Sequence, residues 1–155
     1  MSLSPFSSST CPTYNKTVDK LKGLGYVDAS GKLTAEHDAA TQHWGEGWRM
    51  PTHAEFGELL NNCDSQWTTR NGVYGRVFKG RGSFAGNNIF VPAAGNGNGS
   101  FLYYPGSYGF CWSSTPYSVN SNDAWYLNFY SGDAYRFYNF RDYGFAVRPV
   151  REFAQ

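Results

Sequence analysis

Apolar positions in the first third of the chain repeat at helical spacing, and those in the remainder alternate or cluster between turns. Thr17 to Leu24 is read as a short helix ended by Gly23 and Gly25, with a turn at Asp28-Ala-Ser-Gly31. A second helix opens at Leu33-Thr34-Ala-Glu-His-Asp38. Thr34 is its expected N-cap, with Glu36 and Asp38 set against the helix dipole. Its stripe is Ala35, Ala39, Ala40 and Trp44, and Gly45 and Gly47 stop it. After Pro51, Thr52 and Glu55 have the spacing of a capping box. Phe56, Leu59 and Leu60 then form a buried stripe that ends near Asn61-Asn62.

From there the period changes. Strands are expected at Gly72–Phe78, Asn88–Val91 and Phe110–Ser114, with Gly95-Asn-Gly-Asn-Gly-Ser100 as a flexible loop. In Trp125–Tyr130 the alternation sends Trp125, Leu127 and Phe129 to one face and Tyr126, Asn128 and Tyr130 to the other. Ser131-Gly132-Asp133 reads as a hairpin turn. A last strand over Gly144–Val150 points Phe145 and Val147 inward, with Pro149 at a bulge, an edge or its end. The prediction is an α+β domain: two helices packed on a small, mainly antiparallel twisted sheet with long loops. It occupies residues 14–155, behind a polar, poorly ordered tail at 1–13.

Aromatic residues reach 19% and glycines number 18, which favours short strands and turns over a helix bundle. Net charge is +1 and no lysine follows Lys79, so nothing supports a nucleic-acid partner. No apolar run approaches the roughly 18 residues of a membrane span, so membrane insertion is not expected. The start of the chain has neither the basic nor the apolar region of a signal peptide. Cys11, Cys63 and Cys111 form no C-x-x-C pair. Free thiols are expected, with a Cys63–Cys111 bridge as the alternative.

Catalytic chemistry is thinly represented. His37, His43 and His53 lack metal-ligand spacing, and Glu46 and Glu55 flank Trp48–Pro51 without a predicted cleft. Cys111, between Phe110 and Trp112, has no neighbouring base. No enzyme, metal site or cofactor is expected.

The densest signal is Asp123–Tyr143, composed almost wholly of Tyr, Phe, Asn, Asp, Ser, Gly, Arg and Trp. This vocabulary suits a binding paratope, with Tyr and Trp as rigid contacts and Ser, Gly and Asn as adaptable hydrogen-bonding groups. It suits equally an aromatic strand pair that fills a core.

Four blocks narrow the choice: Trp44–Leu60, Asn88–Gly95, Tyr108–Thr115 and Gly144–Val150. In order and spacing they resemble the C-type-lectin-fold group that includes formylglycine-generating-enzyme-like domains. Within it the chain looks most like the variable proteins of diversity-generating retroelements, found in phages and bacteria of the gut. In those systems adenine-directed mutation scatters Asn codons among Tyr, Phe, Asp, Ser and Asn. The resemblance implies a diversified region at about 108–143 and a ligand surface of Tyr126, Tyr130, Asp133, Tyr135, Phe137, Tyr138, Asn139, Phe140, Asp142 and Tyr143. Tyr117, Asn120, Asn122 and Asp123 would form its upstream part, with Phe110 and Cys111 less closely attached. Leu127, Phe129, Gly132, Gly144, Phe145 and Val147 would be fixed scaffold at inward strand positions and turn glycines, with the variable residues at outward positions and in a surface loop from Tyr135 to Tyr143. Arg136 and Arg141 would pair with acids or stack on rings, unless Arg141 is scaffold.

The implied partner is a varied protein or glycan on a cell or virion surface, with extracellular or virion placement. A fixed carbohydrate-binding lectin domain is the second reading, and a formylglycine-generating-type enzyme the third. Calcium-dependent lectins of this fold use an Asn-Asp pair on a strand, which Asn122-Asp123 matches. Their second, Glu-Pro-Asn-like element is missing, so calcium is not expected.

Overall fold

The computed structural model describes residues 6–152. In chain order it contains α1 (Val18–Gly23), α2 (Ala39–Trp44), β1 (Trp48–Arg49), α3 (His53–Asn62), β2 (Cys63–Arg70), β3 (Val73–Gly80), β4 (Asn88–Pro92), β5 (Asn96–Asn98), β6 (Phe101–Tyr103), β7 (Gly109–Pro116), β8 (Asp123–Phe129), β9 (Ala134–Phe140) and β10 (Val150–Arg151). The strands form two three-stranded sheets, β2-β3-β4 and β7-β8-β9, and two pairs, β1-β10 and β5-β6. All four sheets pair antiparallel. Few helices on several small antiparallel sheets make this an α+β architecture consistent with the C-type-lectin-like fold.

The core lies where α3 meets the two larger sheets. Phe56 of α3, Phe78 and Val91 of β3 and β4, Cys111 of β7 and Leu127 and Phe129 of β8 form one buried cluster with Ala93. Phe129 is fully buried, and Phe78 meets its ring edge to face at 6.4 Å. Each such side chain removed from water contributes about 1.5–3 kcal/mol. Gly109, paired with Phe129, lies directly against that ring, so a Cβ there would intrude on it.

The third helix starts as expected. Thr52 Oγ1 accepts from Glu55 N, and the Glu55 carboxylate accepts from Thr52 N at 2.8 Å, closing the capping box. Glu55 also receives a two-pronged bond from Arg49, Nη1 to Oε2 at 2.7 Å and Nη2 to Oε1 at 2.6 Å. Arg49 Nε donates to Glu152 at 2.6 Å, so one guanidinium fastens α3 to the end of the chain. The Arg49 hydrogen bonds hold the Glu55 carboxyl at a pKa of about 2, well below the ordinary value of 4.5.

Several expectations are corrected. The second helix begins at Ala39 and is capped by Asp38, not Thr34. The buried Asp38 carboxylate accepts from Ala40 N and Thr41 N, and both its oxygens accept from Met50 N. Thr34 instead sends its hydroxyl to the Gly25 carbonyl. Strand β2 was not anticipated, because Cys63–Arg70 is mostly polar. Its turn, Asn71-Gly72, has both residues at positive φ and closes a two-residue hairpin from Arg70 to Val73. The Gly95–Ser100 loop is largely the β5-β6 hairpin.

The segment from Tyr135 onward, expected as a loop, is β9, paired with β8 along its whole length. The expected strand at 144–150 is broken up. Gly144 bridges Gly97, Ala146 bridges Cys111, and only Val150–Arg151 pairs regularly, with β1. Pro149 stands just before that pair, where its missing N–H costs nothing. Residues 6–13 are tied down: Phe6 N donates to Gly99 O, and Thr13 O accepts from Arg141. Cys11, Cys63 and Cys111 are free thiols.

Gly109→Ala should cost about 1–3 kcal/mol by overpacking Phe129, read as a lower denaturant midpoint in urea unfolding. The Glu55 contribution is complete above its unfolded pKa and disappears as pH falls from 4.5 towards 2. Because the pair is partly exposed, its size is about 1–2 kcal/mol after screening. In acid titrations Glu55→Gln should lack this part of the acid-induced loss; an unchanged profile would contradict the assignment.

Candidate functional site

Both faces of β8 are covered, and this organises the aromatic residues around it. On the α3 face, Trp125 stacks on the His53 ring at 4.0 Å. Tyr138 of β9, opposite Trp125, meets it at 5.7 Å and stacks on Tyr117 at 4.0 Å with the rings almost parallel. Arg136 lies against Gly57 of α3 and donates from Nη1 to the His53 carbonyl. Burial, helped by the Arg136 charge, lowers the His53 pKa below the usual 6.5.

On the other face, the strands present Phe110, Trp112 and Tyr126, and the 141–148 segment lays Phe145 across all three. Its ring is 5.0, 4.2 and 4.8 Å from theirs, respectively. Tyr126 is therefore only 5% exposed, a correction to its outward placement in the sequence. Burial, with the neighbouring Tyr135 adding to it, pushes its phenol up to about 12. Tyr126 is the floor of this face. Phe145, read as inward, packs in this second aromatic layer and not in the α3 core.

Three rings of β9 are reached by water. Tyr135, Phe137 and Phe140 are 38%, 47% and 41% exposed. Phe137 lies edge-on to both Tyr126 and Tyr135, at 6.5 and 6.3 Å, and Phe140 reaches Tyr143 at 6.1 Å. Tyr138, Asn139, Asp142 and Tyr143 are half-buried beside them. The β9 pleat thus exposes Tyr135 and Phe137 while Arg136 and Tyr138 turn towards α3.

Other predicted positions do not join this display. Asp123 is 5% exposed; burial raises its pKa, against the opposing pull of Arg141. Asn120 is exposed but closes a turn by accepting from Asn122 N, and Asn122 is half-buried. Tyr117 belongs to the α3 face through Tyr138. Asp133 is exposed at the hairpin turn, where its carboxylate accepts from Ala134 N. Tyr130 leans away towards Tyr108, at 5.4 Å. Phe110 is half-buried, and Cys111 is a core residue whose thiol burial pushes up to about 12, which suppresses the thiolate a nucleophile needs.

Arg141 is scaffold. Its Nε donates to Asp123 O and its Nη1 to Thr13 O and Lys16 O, so it pins the N-terminal segment to the end of the β8-β9 hairpin. Glu46 and Glu55 do not form a pair: Glu55 is held by Arg49, and Glu46 lines a separate recess with Arg49 and Glu152. Among the described residues no group of three or more His, Cys, Asp or Glu side chains is arranged to hold a metal ion. Among them also, no helix is long and apolar enough to cross a membrane.

Sequence reasoning missed a second set of exposed rings. Phe101, Tyr103 and Tyr104, with Leu102, project from β6 and the turn after it, and Tyr104 connects to Tyr108 at 5.4 Å. The available signal was charge: residues 82–122 contain no Asp, Glu, Lys, Arg or His.

The α+β scaffold, consistent with the C-type-lectin-like fold, thus holds a graded aromatic face, buried at Tyr126 and exposed at Phe137. The chain belongs to the Lcl C-terminal domain family, a domain of the retroelement variable-protein type, whose model matches residues 10–151. No match to the chain was found among curated proteins or solved structures.

Because folded His53 resists protonation, the unfolded chain takes up that proton first. Stability should be complete above about pH 6.5, decline as pH falls through the ordinary histidine range, and level off below the folded pKa. NMR titration of the His53 ring should give a midpoint below the ordinary 6.5. A midpoint at or above that value would rule out the half-buried, Trp125-stacked state.

Proposed function

We propose that this protein is a non-enzymatic ligand-binding domain whose recognition surface is the exposed face of β9 and the 140–143 turn, diversified by a retroelement. The observation that carries the reading is the contrast along β8 and β9. Scaffold rings such as Tyr126 and Phe129 are buried, while Tyr135, Phe137 and Phe140 are open to water. Large rings left exposed on a rigid sheet are costly for a monomer unless they meet a partner. Substitution there leaves the core untouched, as a surface that varies must allow. Tyr143, Asn139 and Asp142 supply polar and aromatic edges around the exposed rings. The partner class that fits is a protein or glycan displayed on another cell or virion, with specificity set by the sequence that occupies these positions. Membership of the Lcl C-terminal domain family supports the same reading.

Two measurements test it. A near-copy of the DNA for about residues 108–143 should lie beside a reverse transcriptase gene and differ from it only where the copy has adenine. A genome without such a copy would remove the diversification. Tyr135→Ala with Phe137→Ala should change stability by no more than about 0.5 kcal/mol per site. Tyr138→Ala, which unstacks Tyr117 and Trp125, should cost more than the two together. Equal losses in urea titrations would mean that β9 is core on both faces.

A further inference from the structure

One cleft shares no residue with the β9 display. It is lined by Phe56 and Leu59 of α3, Ile89 and Val91 of β4, Cys111 of β7, Leu127 of β8 and the 148–150 segment. Its volume is about 310 Å³, at the lower end of the roughly 300–1,000 Å³ of small-molecule pockets. An apolar cavity of about half that size stays dry and takes up a benzene ring. The apolar side chains of the lining are buried or half-buried, while Glu58 and Arg148 stand at exposed positions. The cleft therefore has an apolar interior and a charged rim.

That rim carries both signs of charge. The charged residues of the lining are Glu55, Glu58 and Arg148. Glu55 is already engaged, since Arg49 donates to both its oxygens and Thr52 N to one of them. Among the described residues, neither Glu58 nor Arg148 forms an ion pair or a side-chain hydrogen bond. The two line one cleft without pairing with each other, so a ligand can take both. Burial pushes the Cys111 thiol up and the Arg148 charge pulls the other way, so the guanidinium acts on the apolar lining of the cleft.

We propose that this cleft binds a free apolar α-amino acid of the leucine, methionine or phenylalanine class. The α-carboxylate meets the forked donors of Arg148 and the ammonium meets the Glu58 carboxylate, each through charge-assisted hydrogen bonds. The side chain enters the apolar lining that Leu59, Ile89 and Leu127 share. A fatty acid would use Arg148 but bring its charge beside two glutamates, and an alkylamine would leave Arg148 without a partner. A polar amino acid would bury hydrogen-bonding groups against hydrocarbon, which is costly. The proposal does not rest on the diversified surface, because the two sets of residues do not overlap.

The test uses the full chain with carbon-13 in the isoleucine δ1 methyl group. Ile89 is the only isoleucine in the sequence, so a single NMR signal reports on the cleft. At least one of L-leucine, L-methionine and L-phenylalanine should shift that signal saturably, and glycine, with no side chain to bury, should not. Octanoate and leucinamide, each lacking one of the two charges, should bind at least about tenfold more weakly than the tightest of the three. Arg148→Gln and Glu58→Gln should each weaken that amino acid by about tenfold or more. Their urea midpoints should match that of the unsubstituted chain, which separates lost binding from lost fold. Phe137→Ala should leave the affinity within about twofold, so the cleft and the β9 surface are read separately. No shift with any of the three amino acids, octanoate binding as tightly as they do, or affinity unchanged by Arg148→Gln or by Glu58→Gln would each overturn the proposal.

Discussion

Leu127 and Phe129 fill the space between α3 and the two larger sheets, while Tyr126, next to Leu127 on the same strand but on its other face, is roofed by Phe145. This two-sided burial of β8 is the constraint from which the rest follows. A central strand covered on both faces cannot slip in register, because a shift of one residue would carry Tyr126 into the α3 core and Leu127 into the aromatic layer. The register of β9 is therefore fixed as well, and so is the choice of its side chains that face water. Gly109 and Gly57 belong to the same device: each lets a bulky group, the Phe129 ring or the Arg136 guanidinium, lie directly on backbone.

Polar anchors do the remaining positioning. Asp38 gathers three backbone N–H groups from α2 and Met50, Arg49 joins α3 to Glu152, and Arg141 collects carbonyls from the N-terminal segment and β8. Each is a charged group with several hydrogen bonds, the form in which burial of charge is tolerable. Together they hold α2, the segment around Thr13 and Lys16, and Glu152 in place around the sheets. The aromatic face can then vary without being asked to stabilise the fold.

That separation explains what was legible in the residues. The capping box of Thr52 and Glu55, the stripe of α3, the core role of Leu127 and Phe129 and the family blocks all depend on neighbours close in sequence or on motif spacing. They could be read directly. Asp38 was read as a helix-dipole partner because its third donor, Met50 N, is distant in sequence and invisible to local patterning. Strand β9 was read as a loop because Tyr-Arg-Phe-Tyr-Asn-Phe has no polar alternation: both of its faces carry rings, one against α3 and one towards water. The apolar cleft at Leu59, Ile89 and Arg148 joins three separate segments, and no spacing rule connects them.

Within the stretch from Asp123 to Tyr143, composition alone left paratope and core evenly matched, and the fold divides it by position. Local chemistry determines that rings will be plentiful there, that a turn falls at Ser131-Gly132-Asp133 and that Leu127 and Phe129 point inward. Packing across the sheet decides the rest. Phe145 arrives from the next segment to bury Tyr126, and Tyr117 arrives from the previous one to hold Tyr138. Tyr135 and Phe137 meet no such cover. A tyrosine has the same propensity in each of these places; its role depends on which distant side chain shields it from water, and only the folded chain brings that side chain near.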